Sequence, residues 1–204
     1  GWAFQSFAEN LLGGEGFNRI VDFSERKIVL ETVLEIPRYA KENTGYAILV
    51  FASLLAGGPF GECEDPAERM EILKITQKIP RFAQEGRPGA NGFMEASGFS
   101  FLKGFLEEEK FNQITDPAKR VLILHLIQQT LNWAGARNMD RLYELEELLP
   151  KVAATHEFST ILEEFSRKIE AAGEDEETKS QAGKWAFDHI AHLAEQGLAR
   201  LSRG

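Results

Sequence analysis

Asp65-Pro66-Ala67-Glu68-Arg69, read beside Asp22-Phe23-Ser24-Glu25-Arg26 and Asp116-Pro117-Ala118-Lys119-Arg120, decides the fold of this chain. The three segments recur 43 and then 51 residues apart. Each has the chemistry of a helix start. An Asp at the N-cap accepts from the backbone N–H groups that the first turn leaves without partners. Pro66 and Pro117 fall at the first helical position, where no donor is lost. Glu25 and Glu68 stand three residues after the Asp, as in a capping box, and Lys119 takes that place in the third copy.

Outward from these starts the similarity continues. Downstream, Ile36-Pro37-Arg38-Tyr39-Ala40 reads like Ile79-Pro80-Arg81-Phe82-Ala83, with Thr130-Leu131-Asn132-Trp133-Ala134 as a looser third version. Pro37 and Pro80 are expected to kink their helices or end the regular part. Upstream, Phe17-Asn18-Arg19-Ile20 matches Phe111-Asn112-Gln113-Ile114. The run Phe7 to Gly14 resembles Phe51 to Gly58 after a one-residue shift. The unit is therefore a short apolar helix, a Gly-bearing turn, and a longer helix opened by Asp-x-x-x-Arg. Ile28, Val29, Val33 and Ile36 form an apolar stripe at helical spacing, as do Ile72, Leu73, Ile75 and Ile79, and Val121, Leu122, Leu124, Ile127 and Leu131.

A degenerate fourth copy would take residues 158–165 as its short helix and open the longer one at Glu176-Glu177-Thr178-Lys179, with an extra helix over residues 139–154 before it. Terminal units of helical arrays are often atypical. No stretch alternates as a strand does. The expected fold is all-α: one domain over residues 1–204, a right-handed stack of antiparallel helix pairs forming an α-α superhelix. Its units run over about 1–43, 44–88 and 89–137, with the degenerate part at 138–204.

Helix pairs of this length, with Asp-Pro at the turn between helices and a basic residue in the next turn, resemble HEAT and armadillo repeats. The resemblance covers residues 3–134 and departs from the usual HEAT pattern in its tighter Asp-to-Arg spacing and in Pro37 and Pro80. It implies a curved stack that offers a groove to a protein or peptide. It also implies a ladder of Asp and Arg between units, which would fall on Asp22, Asp65 and Asp116 and on Arg26, Arg69 and Arg120.

Composition narrows the function. The 204 residues carry a net charge of −9, which repels phosphate backbones, and no basic run offsets it, so nucleic acid is not an expected partner. The most apolar stretch, residues 45–60, is shorter than the roughly 20 residues a membrane span needs and reads as a buried helix. The single cysteine, Cys63, forms no intramolecular disulfide, and a cytoplasmic setting is expected. Because the sequence begins without Met, an upstream leader or anchor is compatible with it.

Few residues suggest catalysis. His189 and His192 lie three apart on an expected helix and are weak candidates for holding a metal, needing at least one further ligand. His125 sits in an apolar helix and reads as a histidine at the edge of a core. Acidic neighbours disfavour the thiolate of Cys63. The acidic runs near Glu107, Glu144 and Glu174 read as solvated helix faces or ends. The Gly-rich connection at 86–92 lacks the phosphate-cradling Gly-Lys pattern, and no cofactor is expected. Residues 92–101, rich in Phe, Met and small side chains, read as a core helix whose glycines allow close packing, or as an adaptable apolar surface.

Arg38 and Arg81 follow the repeated Ile-Pro, and each precedes an aromatic residue, a pairing common at interface anchors. Arg38, Tyr39, Arg81, Phe82 and Trp133 are the expected partner-binding row. The sequence thus points to a non-catalytic module that binds a protein or peptide. Two other readings stay open: an α-helical enzyme with a pocket between helices, metal-assisted through His189 and His192, and an acidic immunity-type or decoy protein that covers a basic partner.

Overall fold

The computed structural model describes residues 11, 13–40, 44–61, 63–85, 93–134 and 138–201. Among them there is no strand, and the chain is all-helical. The helices are α1 (Glu15–Arg19), α2 (Phe23–Ala40), α3 (Thr44–Ala56), α4 (Gly58–Gly61), α5 (Pro66–Glu85), α6 (Phe93–Glu107), α7 (Glu109–Asn112), α8 (Pro117–Ala134), α9 (Asn138–Val152), α10 (His156–Ala172) and α11 (Glu176–Leu201). They fall into two compact units, residues 1–113 and 114–204, with the boundary just before Asp116. No described helix is long and apolar enough to cross a membrane.

The Asp residues set the helix starts. Asp22 Oδ1 accepts from the Glu25 N–H at 3.0 Å. Asp65 Oδ1 accepts from Ala67 and Glu68 at 2.8 and 2.9 Å, and Asp116 Oδ1 from Ala118 at 3.0 Å. Pro66 and Pro117 are the first residues of α5 and α8. A fourth start has the same form: Asp175 Oδ1 accepts from Glu177 at 3.1 Å and its other oxygen from the Thr178 hydroxyl. Pro37 and Pro80 do not end their helices, which run on to Ala40 and Glu85.

Burial follows the same register. Seven, ten, eleven and fourteen residues after the Asp come Val29, Thr32, Val33 and Ile36, then Ile72, Ile75, Thr76 and Ile79, then Ile123, Leu126, Ile127 and Thr130; all are buried. A buried aliphatic side chain of this size contributes roughly 1.5–3 kcal/mol. The buried threonines bond to their own helices, Thr32 to the Ile28 carbonyl at 2.9 Å, Thr76 to Leu73 at 2.7 Å and Thr130 to Leu126 at 2.8 Å. A hydroxyl in the core is tolerated because it finds an acceptor one turn back.

In the first unit α2 packs along α5, and α3 along α6, with α3 and α5 touching the helices that precede and follow them, α2 and α6. Phe51 and Phe99 meet between α3 and α6 with ring centroids 5.0 Å apart. At Gly98 on α6 a Cβ would stand 2.7 Å from the Ile79 side chain, so glycine sets how closely α6 approaches α5; Gly98, Phe99 and Phe101 are buried and Ser100 is exposed.

In the second unit α11 lies against α8, α9 and α10. At Gly183 a Cβ would stand 2.3 Å from Gln129 Cβ on α8. Thr155 caps α10 through the Phe158 N–H, and Gly173, at φ 56°, ends it in a conformation that L side chains rarely adopt.

Candidate functional site

The seam between α2 and α5 is built from the repeat itself. Arg69 on α5 donates from Nε to Glu25 Oε1 at 3.0 Å and from Nη2 to Oε2 at 2.6 Å. The side chains are 16% and 7% exposed, a bidentate pair largely out of water. Hydrogen bonding by Glu25 raises the Arg69 pKa further, against the lowering effect of burial. Further along, Gln77 donates to Glu31 at 3.0 Å, so the edge of α5 that carries Arg69, Leu73 and Gln77 lies on the edge of α2 that carries Glu25 and Glu31. The contact between these two helices is thus Glu–Arg, not the Asp–Arg contact that the resemblance implies. The Asp oxygens are engaged with backbone N–H groups, and the longer Glu three residues on makes the crossing.

At the mouth of this seam a crevice of about 530 Å³ is lined by Arg19, Asp22, Glu25, Cys63, Arg69 and Met70 among others. It holds no histidine. Cys63 Sγ lies 3.6 Å from the Asp65 carbonyl, beside Glu64.

The opposite edge of α2 has no such covering. Phe23 is 81% exposed and Leu34 68%, with Leu30 at 38% and Pro37 also exposed. In the next copy, the counterparts of Leu30 and Pro37 are Leu73 and Pro80, both buried. The arginines repeat as well. Arg69 lies over the Phe60 ring at 4.8 Å, and Arg26 over the equivalent Phe17 ring at 5.4 Å. Arg26 Nε donates to the Ile20 carbonyl at 2.5 Å, and among the described residues no carboxylate meets it as Glu25 meets Arg69. α2 is thus apolar on two sides, one packed and one open.

The expected row is placed as follows. Arg38 is exposed on α2 and pairs with Glu35 one turn back. The side chains of Tyr39, Arg81 and Phe82 lie outside the described residues. Trp133 belongs to the second unit, where its ring meets Phe187 edge-on at 5.3 Å and Arg141 lies 6.0 Å from its centroid. The Trp133 Nε1 is buried without a hydrogen-bond partner among the described residues.

His189 donates from Nδ1 to the Trp185 carbonyl at 2.8 Å and stacks on the Trp185 ring, while His192 Nε2 accepts from the Gln196 amide at 2.8 Å. No group of three His, Cys, Asp or Glu side chains able to hold a metal comes together among the described residues. Sequence reasoning missed the open edge of α2. Its signal was the spacing of Phe23, Leu30 and Leu34, which puts them on one face away from Val29 and Ile36.

No family model matches the chain, and no curated protein or solved structure matches it.

Proposed function

We propose that the chain is a non-catalytic helical-repeat module that binds another protein. The observation that carries this is the open apolar edge of α2. Three large apolar side chains, Phe23, Leu30 and Leu34, are exposed at helical spacing along one edge of α2. Contiguous exposed apolar surface is a mark of interaction sites. The repeated caps, the shared burial register and the Glu25–Arg69 seam support a stack of like helix pairs, the HEAT-like superhelix expected from the sequence. In this reading Arg38, Tyr39, Arg81 and Phe82 contribute to the partner-binding face of the first unit, Trp133 is a separate contact residue of the second, and the setting is cytoplasmic.

The test is a pull-down from native lysate with the full chain, compared with an Arg38→Ala/Arg81→Ala variant. The reading expects a discrete bound protein whose yield falls in the variant at unchanged secondary structure. A chain that retains nothing specific, at low and at physiological salt, contradicts it. Binding that vanishes steeply with salt favours the acidic-decoy reading instead, because an apolar contact is nearly insensitive to ionic strength.

A further inference from the structure

The seam between α2 and α5 is a template for what the open edge of α2 accepts. Resting on the protein-binding reading above, we infer that this edge docks an α-helix of a partner protein, running parallel to α2 and presenting a carboxylate to Arg26 and apolar side chains to Leu30 and Leu34. Arg69, Leu73 and Gln77 form the edge of α5 that lies on α2, and their counterparts on α2, 43 residues earlier, are Arg26, Leu30 and Leu34. Both arginines are held over equivalent phenylalanine rings, so Arg26 has the footing that lets Arg69 chelate Glu25. Residue 34 makes the open edge more apolar than its template, since Leu34 stands where α5 has Gln77.

Charge fits the same occupant. Arg26, Lys27 and Arg38 flank the apolar stripe; Lys27 and Arg38 pair with Glu31 and Glu35 on their own helix, whereas Arg26 meets no carboxylate among the described residues. Of the acidic residues of α2, Glu25 is bound to Arg69, Glu31 meets Lys27 and Gln77, and Glu35 pairs with Arg38, so the charge left for an occupant to match is that of Arg26. The order of contacts fixes direction. Residues 25 and 31 of α2 meet residues 69 and 77 of α5, both rising together, so the helices in the template are parallel. An amphipathic helix laid in that sense, with one carboxylate opposite Arg26, would bury Leu30 as α2 buries Leu73.

The chain supplies its own probe. A synthetic peptide of residues 22–40, held helical by a cross-link between positions 30 and 34, presents the Glu25 edge and cannot use its other one. Fluorescence anisotropy with the full chain is expected to give saturable binding. Arg26→Ala and Leu34→Glu in the chain should each weaken it by at least about tenfold, roughly 1.4 kcal/mol. Because Arg26 also holds Phe17 and the Ile20 carbonyl, Leu34→Glu, at an exposed position, keeps the test sound if Arg26→Ala does not fold. A Glu25→Lys peptide should lose affinity for the natural chain and regain it with Arg26→Glu. No saturable binding, or binding indifferent to Leu34→Glu and to the charge at position 25 of the peptide, overturns the inference. Sedimentation that finds a dimer dissolved by Leu34→Glu also overturns it, by assigning the edge to a second copy of the chain. If the peptide fails while the lysate pull-down still yields a specific protein, the helix inference falls and the binding function stands.

Discussion

Arg69 chelates Glu25 across two helices that begin 43 residues apart in sequence, with both N–O distances within 3.0 Å. Removing one member leaves the other charge poorly solvated and without its partner, which costs about 3 kcal/mol in comparable buried pairs. Glu25→Gln and Arg69→Met should each lower the urea midpoint, and the double variant should be less destabilised than the sum. A coupling energy of at least about 1 kcal/mol is expected for residues in direct contact. Additive single-variant effects would mean that the seam is not held by this pair.

Gly183 and Gly197 give a contrast within one helix. Glycine in a helix interior costs about 1 kcal/mol relative to alanine. Gly197→Ala, where an added Cβ meets nothing within 4 Å, should therefore stabilise the chain by about 0.5–1 kcal/mol. Gly183→Ala sets its Cβ 2.3 Å from Gln129 Cβ and should destabilise by about 1–2 kcal/mol despite the same propensity gain. Thermal unfolding of the two variants checks this, and equal shifts would contradict the close approach of α11 to α8.

The carboxyl of Asp175 is held below the usual carboxylate range, chiefly by the hydrogen bond from the Thr178 hydroxyl and then by backbone N–H groups at the start of α11. A pKa lower in the folded than in the unfolded state means that the unfolded chain binds more protons as pH falls. The contribution of this cap is complete above the ordinary Asp value and is lost as pH drops through the depressed one. An NMR titration should find Asp175 among the more acidic carboxyls, and Asp175→Asn should keep the cap while removing that step. A carboxyl titrating at or above the ordinary Asp value would contradict the cap geometry.

His189 and His192 are engaged with Trp185 and Gln196 on their own helix. Metal analysis of the purified chain should find no stoichiometric transition metal, and a chelator should leave the unfolding temperature unchanged. A bound metal whose removal lowers that temperature would favour the metal-assisted reading of this pair.

The helix starts were legible in the sequence because capping is local chemistry. An Asp, a following Pro and an acid three residues on specify a turn with little help from the rest of the fold, and Asp22, Asp65 and Asp116 each accept from their own first turn. Asp175 escaped notice because no Pro follows it and its basic residue at the fourth position is Lys179, not Arg. The buried stripe Val29, Val33 and Ile36 was legible from periodicity. The partner of Arg69 was not, since which carboxylate reaches across a seam depends on how one helix rolls on its neighbour. The open edge was hidden for the same reason: α2 is apolar on two sides, and sequence does not say which side receives a helix.

The unfolding and binding of Leu34→Glu, measured together, test most directly whether this edge exists for association. Leu34 is 68% exposed, so a folded chain has little to lose from a charge there, and its urea stability should stay within about 0.5 kcal/mol of the natural protein. Its specific capture of a partner should disappear. A loss of about 2 kcal/mol or more, or undiminished capture by a fully stable variant, would contradict the binding role of the α2 edge.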